Sequence, residues 1–495
     1  NDEGDEDHVL DIQVKPGFLD KWYGDVEAQY QTKKRYSGAL TASRLSDHDP
    51  HMIYVQANNA NRYIDKTIGS SMNSNIDGDG KSQYGSYNYQ HNWQTKGTQQ
   101  YTSNRFNISA KMGHRDGWNS GKASTETFFP NQEHTFGVKD TYRYKHNLNP
   151  QLEAKLFAYT DSANTIDVKV KASYEKSRKS YEEKSASYGY QPDQFAYHSL
   201  NEALAAKPGD ALYDRLITRN RNYESSEQQK RGLNISYEWQ HFIGKKGSFT
   251  LQGYTNLSGT DENTHTNRNV GYLREQRNEK LWQYYDRSDH DMETLLGASL
   301  EHWLSKKVYF NIYDNVSYQR TRITRDFFSN TDERNVANGT PTTADPTNTM
   351  RNLTHKWKNE LAVKSTITPV KALMIMPKFR WNVNHEKTDY LYGTLDTTAV
   401  RTSHSYEPSI FLKWKMSRMR NMDIAFAYNT SVPELVSTLG YRNTIDPLQI
   451  YTGNPLLRNS HSHTTTYNYH RMWLRKQIVL GISASYNKDI NPVAT

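Results

Sequence analysis

Three short runs of carboxylate and imidazole side chains are candidates for binding a metal ion. Asp77-Gly78-Asp79-Gly80 spaces two carboxylates as a calcium loop does, but it lacks the further ligands and the glutamate at loop position 12. His461 and His463 fall on one side of a strand, with His470 further along and no clear third ligand. The mixed charges of Asp286-Arg287-Ser288-Asp289-His290-Asp291 indicate a solvated loop. We therefore expect residues 77–80 and 286–291 to lie in polar loops and the histidines to lie in the lumen or in a loop. We expect no metal site.

The motifs of nucleophilic and hydrolytic catalysis are missing from the sequence. It contains no G-x-S-x-G, no P-loop and no H-E-x-x-H. It also has no cysteine, so it offers neither a thiolate nucleophile nor a disulfide. A carboxylate pair for glycoside hydrolysis is defined by its separation in space, and nothing in the sequence singles out one pair. We predict no enzymatic activity, no catalytic residue and no cofactor.

Length and composition narrow the class of protein. The chain has 495 residues, a formal net charge of +8 and a mean hydropathy of −0.95. No stretch approaches the ~18 apolar residues that a membrane-spanning helix needs, and no basic block predicts a nucleic-acid partner. Aromatic residues make up 12% of the chain, including 36 tyrosines, which disfavours disorder because disordered chains are poor in aromatics.

Alternation of apolar and polar residues recurs along most of the chain, as in residues 166–174. Side chains alternate sides along a strand, so most of these runs have one apolar and one more polar face. A single helical pattern, Asn201 to Arg219, predicts a short helix within a loop. Alternation and turn signals predict about 17 strands, at 22–30, 36–44, 52–59, 83–94, 104–113, 151–160, 164–178, 231–241, 247–257, 292–304, 307–321, 352–366, 372–388, 404–416, 421–430, 461–471 and 476–488.

The connections between these strands alternate between short and long from the second strand onward, whereas the first gap, 31–35, is short where a long one is expected. The long connections are 60–82, 114–150, 179–230, 258–291, 322–351, 389–403 and 431–460. Such lengths are uncommon in a compact soluble domain. They are typical of a transmembrane β-barrel, which must close because hydrocarbon cannot hydrogen-bond a free sheet edge. We predict an all-β, large antiparallel transmembrane β-barrel with long extracellular loops and short periplasmic turns.

The polar strand faces predict a charged lumen wall, and the long loops carry exposed aromatic side chains. We expect these wall residues either to hydrogen-bond to water and to the contents of the lumen or to contact a ligand. The loop aromatics stack on a glycan or peptide, or pack the loops together. The wall residues are Glu153, Lys155, Lys169, Lys171, Lys358, Glu360, Lys364, Lys378, Arg380, Lys413 and Lys415. The loop aromatics are Tyr272, Trp282, Tyr284, Tyr285, Phe327 and Phe328.

The positions of four tryptophans and of one aspartate bear on the apolar faces of the predicted strands. Tryptophans near short turns predict an aromatic girdle at the membrane–water boundary, formed by Trp239, Trp303, Trp414 and Trp473. Asp314 falls on the apolar side of the run Val308 to Val316. A carboxylate facing lipid is unfavourable, so a bulge or a different register is the alternative to a lipid-facing aspartate.

Several segments resemble the TonB-dependent receptors of Gram-negative outer membranes, specifically their "outer membrane protein β-barrel" branch. Val9-Leu10-Asp11-Ile12-Gln13-Val14-Lys15-Pro16-Gly17 is similar to the last strand of the plug domain and its exit into the barrel, and Trp22-Tyr23-Gly24-Asp25-Val26-Glu27-Ala28 to the first barrel strand. Asp446-Pro447-Leu448 followed by Gly453-Asn454-Pro455-Leu456-Leu457 resembles the family's Gly-Asn-Pro-x-Leu landmark. The sequence departs from the family at Arg458-Asn459-Ser460, where Lys-Pro-Glu is frequent.

The resemblance implies a domain organisation, a location and partners. Residues 1–17 are expected to end a plug domain, and residues 18–495 to form a barrel that continues past Thr495, since the family has about 22 strands, within the even-numbered barrel series. The implied location is the Gram-negative outer membrane. The implied partners are outer-membrane lipid, the plug domain, the TonB energy-coupling complex and an unknown bulky nutrient, with no ligand-binding residue identified.

Two other functions remain open from the sequence. A passive porin or adhesion barrel shares the strand pattern but has no plug upstream. A soluble all-β glycan-binding protein or glycosidase folds in buffer without detergent, and it explains the regular alternation of short and long connections least well.

Overall fold

The computed structural model describes residues 20–46, 48–59, 79–94, 104–128, 134–189, 198–331, 336–337, 340–446, 449–473, 475 and 477–491. The expected plug segment, residues 1–17, lies outside this part of the chain, as do Asp77, Gly78, Pro447 and Leu448. In the described residues, no helix is long and apolar enough to cross a bilayer.

Extended backbone dominates the described residues. One α-helix, α1 (His198–Ala205), and two 3-10 turns (Tyr213–Arg215 and Val436–Thr438) accompany the strands. The strands are β1 (Trp22–Gln31), β2 (Arg35–Arg44), β3 (His51–Asn58), β4 (Asp79–Trp93), β5 (Asn104–Phe128), β6 (His134–Leu148), β7 (Gln151–Tyr159), β8 (Asn164–Tyr188), β9 (Leu216–Ile243), β10 (Gly247–Tyr272), β11 (Arg277–Ser305), β12 (Val308–Asn330), β13 (Val336–Ala337), β14 (Thr340–Pro341), β15 (Met350–Val370), β16 (Leu373–Tyr392), β17 (Leu395–Ser417), β18 (Arg420–Ser431), β19 (Arg442–Asp446), β20 (Gln449–Thr452), β21 (Ser460–Trp473) and β22 (Ile478–Ile490).

Eighteen of these strands form one antiparallel sheet, in which neighbours along the chain are neighbours in space. β6 and β7 occupy a single line of the sheet, because both pair with β5 on one side and β8 on the other. The break falls at Pro150, which has no N–H to donate, while the Asn149 N–H still reaches the carbonyl of Gly113 at 2.9 Å. The described sheet therefore has 17 lines, as the alternation predicted, and the all-β antiparallel fold is confirmed.

The ends of the strands confirm one part of the predicted hairpin pattern and correct another. The short connections stay short, for example residues 306–307 between β11 and β12 and residues 371–372 between β15 and β16. Most segments expected to be long loops are instead continuations of the sheet. β10 and β11 pair without interruption through residues 258–291, and β16 and β17 are joined by residues 393–394 alone. The sheet thus extends well beyond the length that a membrane requires.

The predicted helix over Asn201 to Arg219 is wrong in its extent. α1 ends at Ala205, and β9 already begins at Leu216. Pro208 and Gly209 follow directly, and a proline disfavours helical backbone at the residue before it. The helix packs through Leu200 and Ala203 into a buried cluster that includes Tyr188.

One face of the sheet is apolar across all 17 lines. Residues paired in register lie on the same side of a sheet, and the pairing joins one apolar residue to the next from β1 to β22. Many of these side chains are exposed, including Val26 at 76% and Leu296 at 55%. With one residue taken from each line, this face comprises Val26, Leu40, Val55, Tyr87, Ile108, Leu152, Val170, Tyr237, Leu251, Leu296, Ile312, Val363, Phe379, Ile410, Ile424, Tyr467 and Ile482.

Three of the four predicted girdle tryptophans lie on this apolar face, namely Trp239, Trp414 and Trp473. Trp303 lies on the opposite, polar face, paired with Tyr309 at a ring distance of 5.2 Å. The register shifts directly after it, between Trp303 and Ser305. The girdle prediction is therefore wrong for this one position.

The structure resolves the position of Asp314. The ladders on both sides of β12 run without a shift around it, so Asp314 stays on the apolar face with Ile312 and Val316. Its Oδ1 accepts a hydrogen bond of 2.7 Å from Nδ2 of Asn359, which lies on the same face of β15. No bulge relocates the carboxylate; a neighbouring amide partly satisfies it instead.

Replacing both members of this pair, Asp314→Leu with Asn359→Leu, is expected to raise the free energy of unfolding by about 1–2 kcal/mol. A carboxylate on a lipid-facing strand is unfavourable, though less so than Arg or Lys at about 2–4 kcal/mol. Denaturant unfolding in lipid vesicles measures the change. Asp167→Leu is the control, because Asp167 lies on the polar face of β8; an equal gain from the control contradicts the assignment of the faces.

Candidate functional site

The polar face of the sheet carries a network of charged side chains around Glu360 and Arg380. Lys358 Nζ lies 3.0 Å from Glu360 Oε2, and the Tyr313 hydroxyl donates to Glu360 Oε1 at 3.0 Å. Arg380 reaches both Glu360, at 3.4 Å, and Glu407, at 2.8 Å. The two carboxylate side chains are only 18% and 12% exposed, so each depends on its cationic neighbours.

A second network lies on the same face, where β7 pairs with β8. Glu153 lies between two cations, 2.8 Å from Lys155 and 3.4 Å from Lys169. All eleven predicted wall residues fall on this polar face by strand register. The alternation in the sequence therefore assigned them to one common surface correctly.

Aromatic and arginine side chains from three segments meet on the same polar face, near the ends of the strands that lie opposite the short turns. We call Arg325, Tyr390, Tyr392 and Tyr441 the mouth cluster. The rings of Tyr390 and Tyr392 stack at 6.3 Å, and Tyr441 packs against both at 5.9 and 5.7 Å. The Arg325 guanidinium lies 5.7 Å from the centre of the Tyr392 ring.

Burial shapes the protonation of this cluster. It raises the pKa of Tyr390 above its ordinary value and lowers the pKa of Arg325. Arg325 Nε donates to the Asn348 carbonyl at 3.3 Å, while its Nη2 is buried and has no hydrogen-bond partner among the described residues. Neutral phenols beside a cation with unused donor capacity are suited to hold carboxylate, phosphate or sugar oxygens.

The segment between β18 and β21 folds onto the mouth cluster. Arg401 connects it to the sheet, donating to the carbonyl of Pro433 and to Glu386 Oε2 at 3.0 Å. Leu435 is 5% exposed. Gly453 N–H donates to the carbonyl of Tyr441 at 3.0 Å. The glycine landmark identified in the sequence therefore holds Tyr441 in the cluster.

The three predicted ligand runs have different outcomes. Asp79 does not lie in a loop, because it begins β4 and forms an ion pair with Arg35 at 2.7 Å. His461 and His463 lie on the apolar face, where both pack against Tyr428, at 5.6 and 4.8 Å between ring centres, while His470 faces the other side. The structure therefore does not bring the three histidines together.

The run of residues 286–291 is also not a loop, since it lies within β11. Its alternate residues face opposite sides of the sheet, and Arg287 pairs with Asp289 at 2.6 Å. That hydrogen-bonded ion pair raises the pKa of Arg287 above its ordinary value.

The predicted loop aromatics lie in strands, and four of the six pack in two pairs, while Tyr272 and Trp282 lie beside Arg277 and Lys280. Tyr285 stacks on Phe327 at 6.5 Å on the polar face, and Tyr284 lies 5.8 Å from Phe328 on the other face. Phe327 is 2% exposed. These contacts favour packing over ligand stacking, the second of the two roles that the sequence left open.

Sequence reasoning missed Tyr390, Tyr392, Arg325 and Tyr441. The Tyr-x-Tyr spacing of the first two was a visible signal, because residues two apart on a strand share a face. The contact with Tyr441 had no local signal, since it joins residues about fifty positions apart.

The last fifth of the chain matches a known family by its sequence. Residues 390–495, which include β17, β18, β21 and β22, match the model of the outer membrane protein beta-barrel family. Over these residues the chain has the sequence of an outer membrane β-barrel. The predicted outer membrane β-barrel branch is thereby confirmed for residues 390–495, and the predicted location in the Gram-negative outer membrane is confirmed with it. In a transmembrane β-barrel the apolar face meets lipid, the polar face lines the lumen and the short turns are periplasmic, and we assign the faces and turns of this sheet accordingly.

Comparisons with solved structures find distant likeness. The RagAB peptide importer in its closed-closed state is 7% identical, with 92% of this chain and 76% of that chain covered, at a TM-score of 0.21. The ferric yersiniabactin uptake receptor FyuA from Yersinia pestis is 9% identical, with 95% of this chain and 80% of that chain covered, at a TM-score of 0.20. The outer membrane transporter YddB from Escherichia coli is 8% identical, with 93% of this chain and 76% of that chain covered, at a TM-score of 0.20. A search of curated proteins finds no match.

Proposed function

We propose that this outer-membrane barrel is a TonB-dependent importer that moves a bulky polar nutrient through its lumen and catalyses no reaction. The observation that carries the proposal is the charged polar face, where Glu153, Glu360 and Glu407 are paired with cations. Such a wall suits a lumen filled by water and a plug domain rather than an apolar core.

The energy coupling rests on the sequence resemblance. Residues 1–17 resemble the end of a plug, and the barrel begins directly afterwards at Trp22. A plugged barrel conducts only when its plug is displaced. We therefore assign residues 1–17 to the plug exit, residues 18–495 to the barrel, and the work of displacement to the TonB complex.

Uptake by cells that lack the gene and carry it on a plasmid tests the proposal. Labelled glycans, peptides and metal chelates are offered in turn, with and without a protonophore that removes the proton gradient. We expect the plasmid to restore uptake of one class and the protonophore to abolish it. Uptake that persists with the protonophore supports a passive porin, and unchanged uptake of every class counts against transport.

Arg325→Ala is expected to raise the half-saturating ligand concentration by about tenfold. A hydrogen bond to a charged group contributes about 1.5–3 kcal/mol, and Arg325 faces the lumen beside the tyrosines of the mouth cluster. Arg322→Ala is the matched control, because Arg322 lies on the same strand and on the opposite face. Equal effects of the two variants, at equal surface amounts, rule out the mouth cluster as a binding site.

A further inference from the structure

A group of three metal-ligating side chains lies outside the lumen, on the outward face of the hairpin formed by β5 and β6. His114 and Asp116 are two residues apart on β5, so they point to the same side. His146 is the direct partner of Asp116 across the ladder, and His114 is the partner of Leu148. The register thus places two imidazoles and one carboxylate side by side.

The distances within this group are those of a nearly formed coordination site. The donor atoms of His114, Asp116 and His146 all lie within 4.8 Å of one another. His146 Nδ1 lies 2.7 Å from Asp116 Oδ1, and His114 Nε2 lies 3.5 Å from Asp116 Oδ2. Tetrahedral zinc with ligand bonds of about 2.0–2.2 Å spaces its donors by roughly 3.4 Å. Small side-chain rotations suffice to bring the three donors around one ion.

The surroundings favour an accessible site with a supported ligand. The side chains of His114, Asp116 and His146 are 25%, 22% and 24% exposed, so an ion can reach them from outside. The Tyr144 hydroxyl donates to Asp116 Oδ1 at 3.2 Å. Such an outer partner orients a carboxylate ligand.

The site also has a defined position relative to the membrane. On β5 the apolar face runs from Phe106 to Met112, and His114 is the next outward residue in the extracellular direction. Three further cations lie near this group on the same face. Lys81 is the direct partner of Asp116 across the ladder to β4. Lys176 and Arg178, across the ladder from β6, both contact Glu227, at 2.7 and 2.9 Å. The ligand group therefore lies just outside the lipid band, with Lys81 as its neighbour on β4 and with the cations on β8 neutralised by Glu227.

We propose that His114, Asp116 and His146 form a binding site for a divalent transition-metal ion such as Zn²⁺ on the outer surface of the barrel. Two imidazoles and a carboxylate are a ligand set that zinc prefers, and a site with three protein ligands keeps a position for water or an external donor. The ion joins β5 to β6 at the outer membrane boundary. The site is separate from the lumen, so it does not depend on the transport proposal.

Calorimetric titration of Zn²⁺ into the metal-free full-length protein in detergent tests the site. We expect Asp116→Asn and His146→Ala to lose one high-affinity Zn²⁺ per chain, since loss of a direct ligand exceeds the roughly 10-fold to 100-fold cost of losing an outer partner. Tyr144→Phe keeps all three ligands and is expected to weaken binding within that range.

His91→Ala is the matched control, because His91 pairs with Asp49 at 2.7 Å and belongs to no such three-ligand group among the described residues. Its Zn²⁺ stoichiometry and affinity should equal those of the wild type. Circular dichroism of each variant checks that the strand content is retained. Wild-type affinity in folded Asp116→Asn and His146→Ala, or the same loss in His91→Ala, overturns the proposal.

Discussion

Arg380→Met is expected to lower the free energy of unfolding by about 2–3 kcal/mol. The substitution keeps much of the side chain's length but removes the cation that reaches both Glu360 and Glu407. Breaking a buried ion pair costs about 3–5 kcal/mol, because the remaining charge is left uncompensated. The effect is placed below that range because Arg380 is 33% exposed and lumen water solvates part of the network. Denaturant unfolding in lipid vesicles measures it.

Two further variants separate the ion-pair effect from a general effect of losing charge. Lys415→Met removes a cation from the same polar face, at an exposed position with no ion pair within 4.0 Å among the described residues, and should change stability little. Arg380→Met combined with Glu407→Gln should recover part of the loss, since it removes the stranded carboxylate. Equal losses in Arg380→Met and Lys415→Met contradict the network assignment.

Gly453→Ala is expected to release the segment between β18 and β21 from the mouth cluster. A Cβ atom at Gly453 would lie 1.6 Å from the backbone oxygen of Leu439 and 2.8 Å from its carbonyl carbon. Backbone cannot yield as a flexible side chain does, so residues 437–441 must move and Tyr441 must lose its contacts. Overpacking costs about 1–3 kcal/mol, and we place this clash at about 3 kcal/mol.

Hydrogen exchange in peptides that cover residues 432–459 measures this release. A local cost of about 3 kcal/mol corresponds to a loss of protection on the order of 100-fold. Gly440→Ala is the control in the same segment, because a Cβ there meets no heavy atom within 4 Å. We expect its exchange to match that of the wild type. Equal protection in both variants shows that the close approach at Gly453 does not hold the segment.

The landmark glycine illustrates what a resemblance adds to a sequence. Gly-Asn-Pro is a generic turn signal. Its match to a family motif identified the segment but did not explain why a glycine is needed at position 453. The structure supplies the reason, which is a backbone contact between Gly453 and Leu439. Asn454 completes the turn, accepting the N–H of Leu456 on its Oδ1 at 2.9 Å.

The sequence by itself determined the number of sheet lines, the short turns and the face of most strand residues, with Trp303, His461 and His463 as exceptions. Alternation with a period of two is a local property, and one buried or lipid-facing side fixes the register. Glu153 and Lys415 were therefore assigned to the same surface although they are far apart in the chain.

The tertiary structure decided how far the strands extend and which residues meet across them. In residues 258–269 both faces of β10 are polar, so alternation vanishes, and only the ladder with β9 and β11 reveals a strand. The His114, Asp116 and His146 group and the contact of Tyr441 with Tyr390 likewise join distant positions. Their proximity depends on register and on loop packing, because these set distances in space that spacing along the chain does not contain.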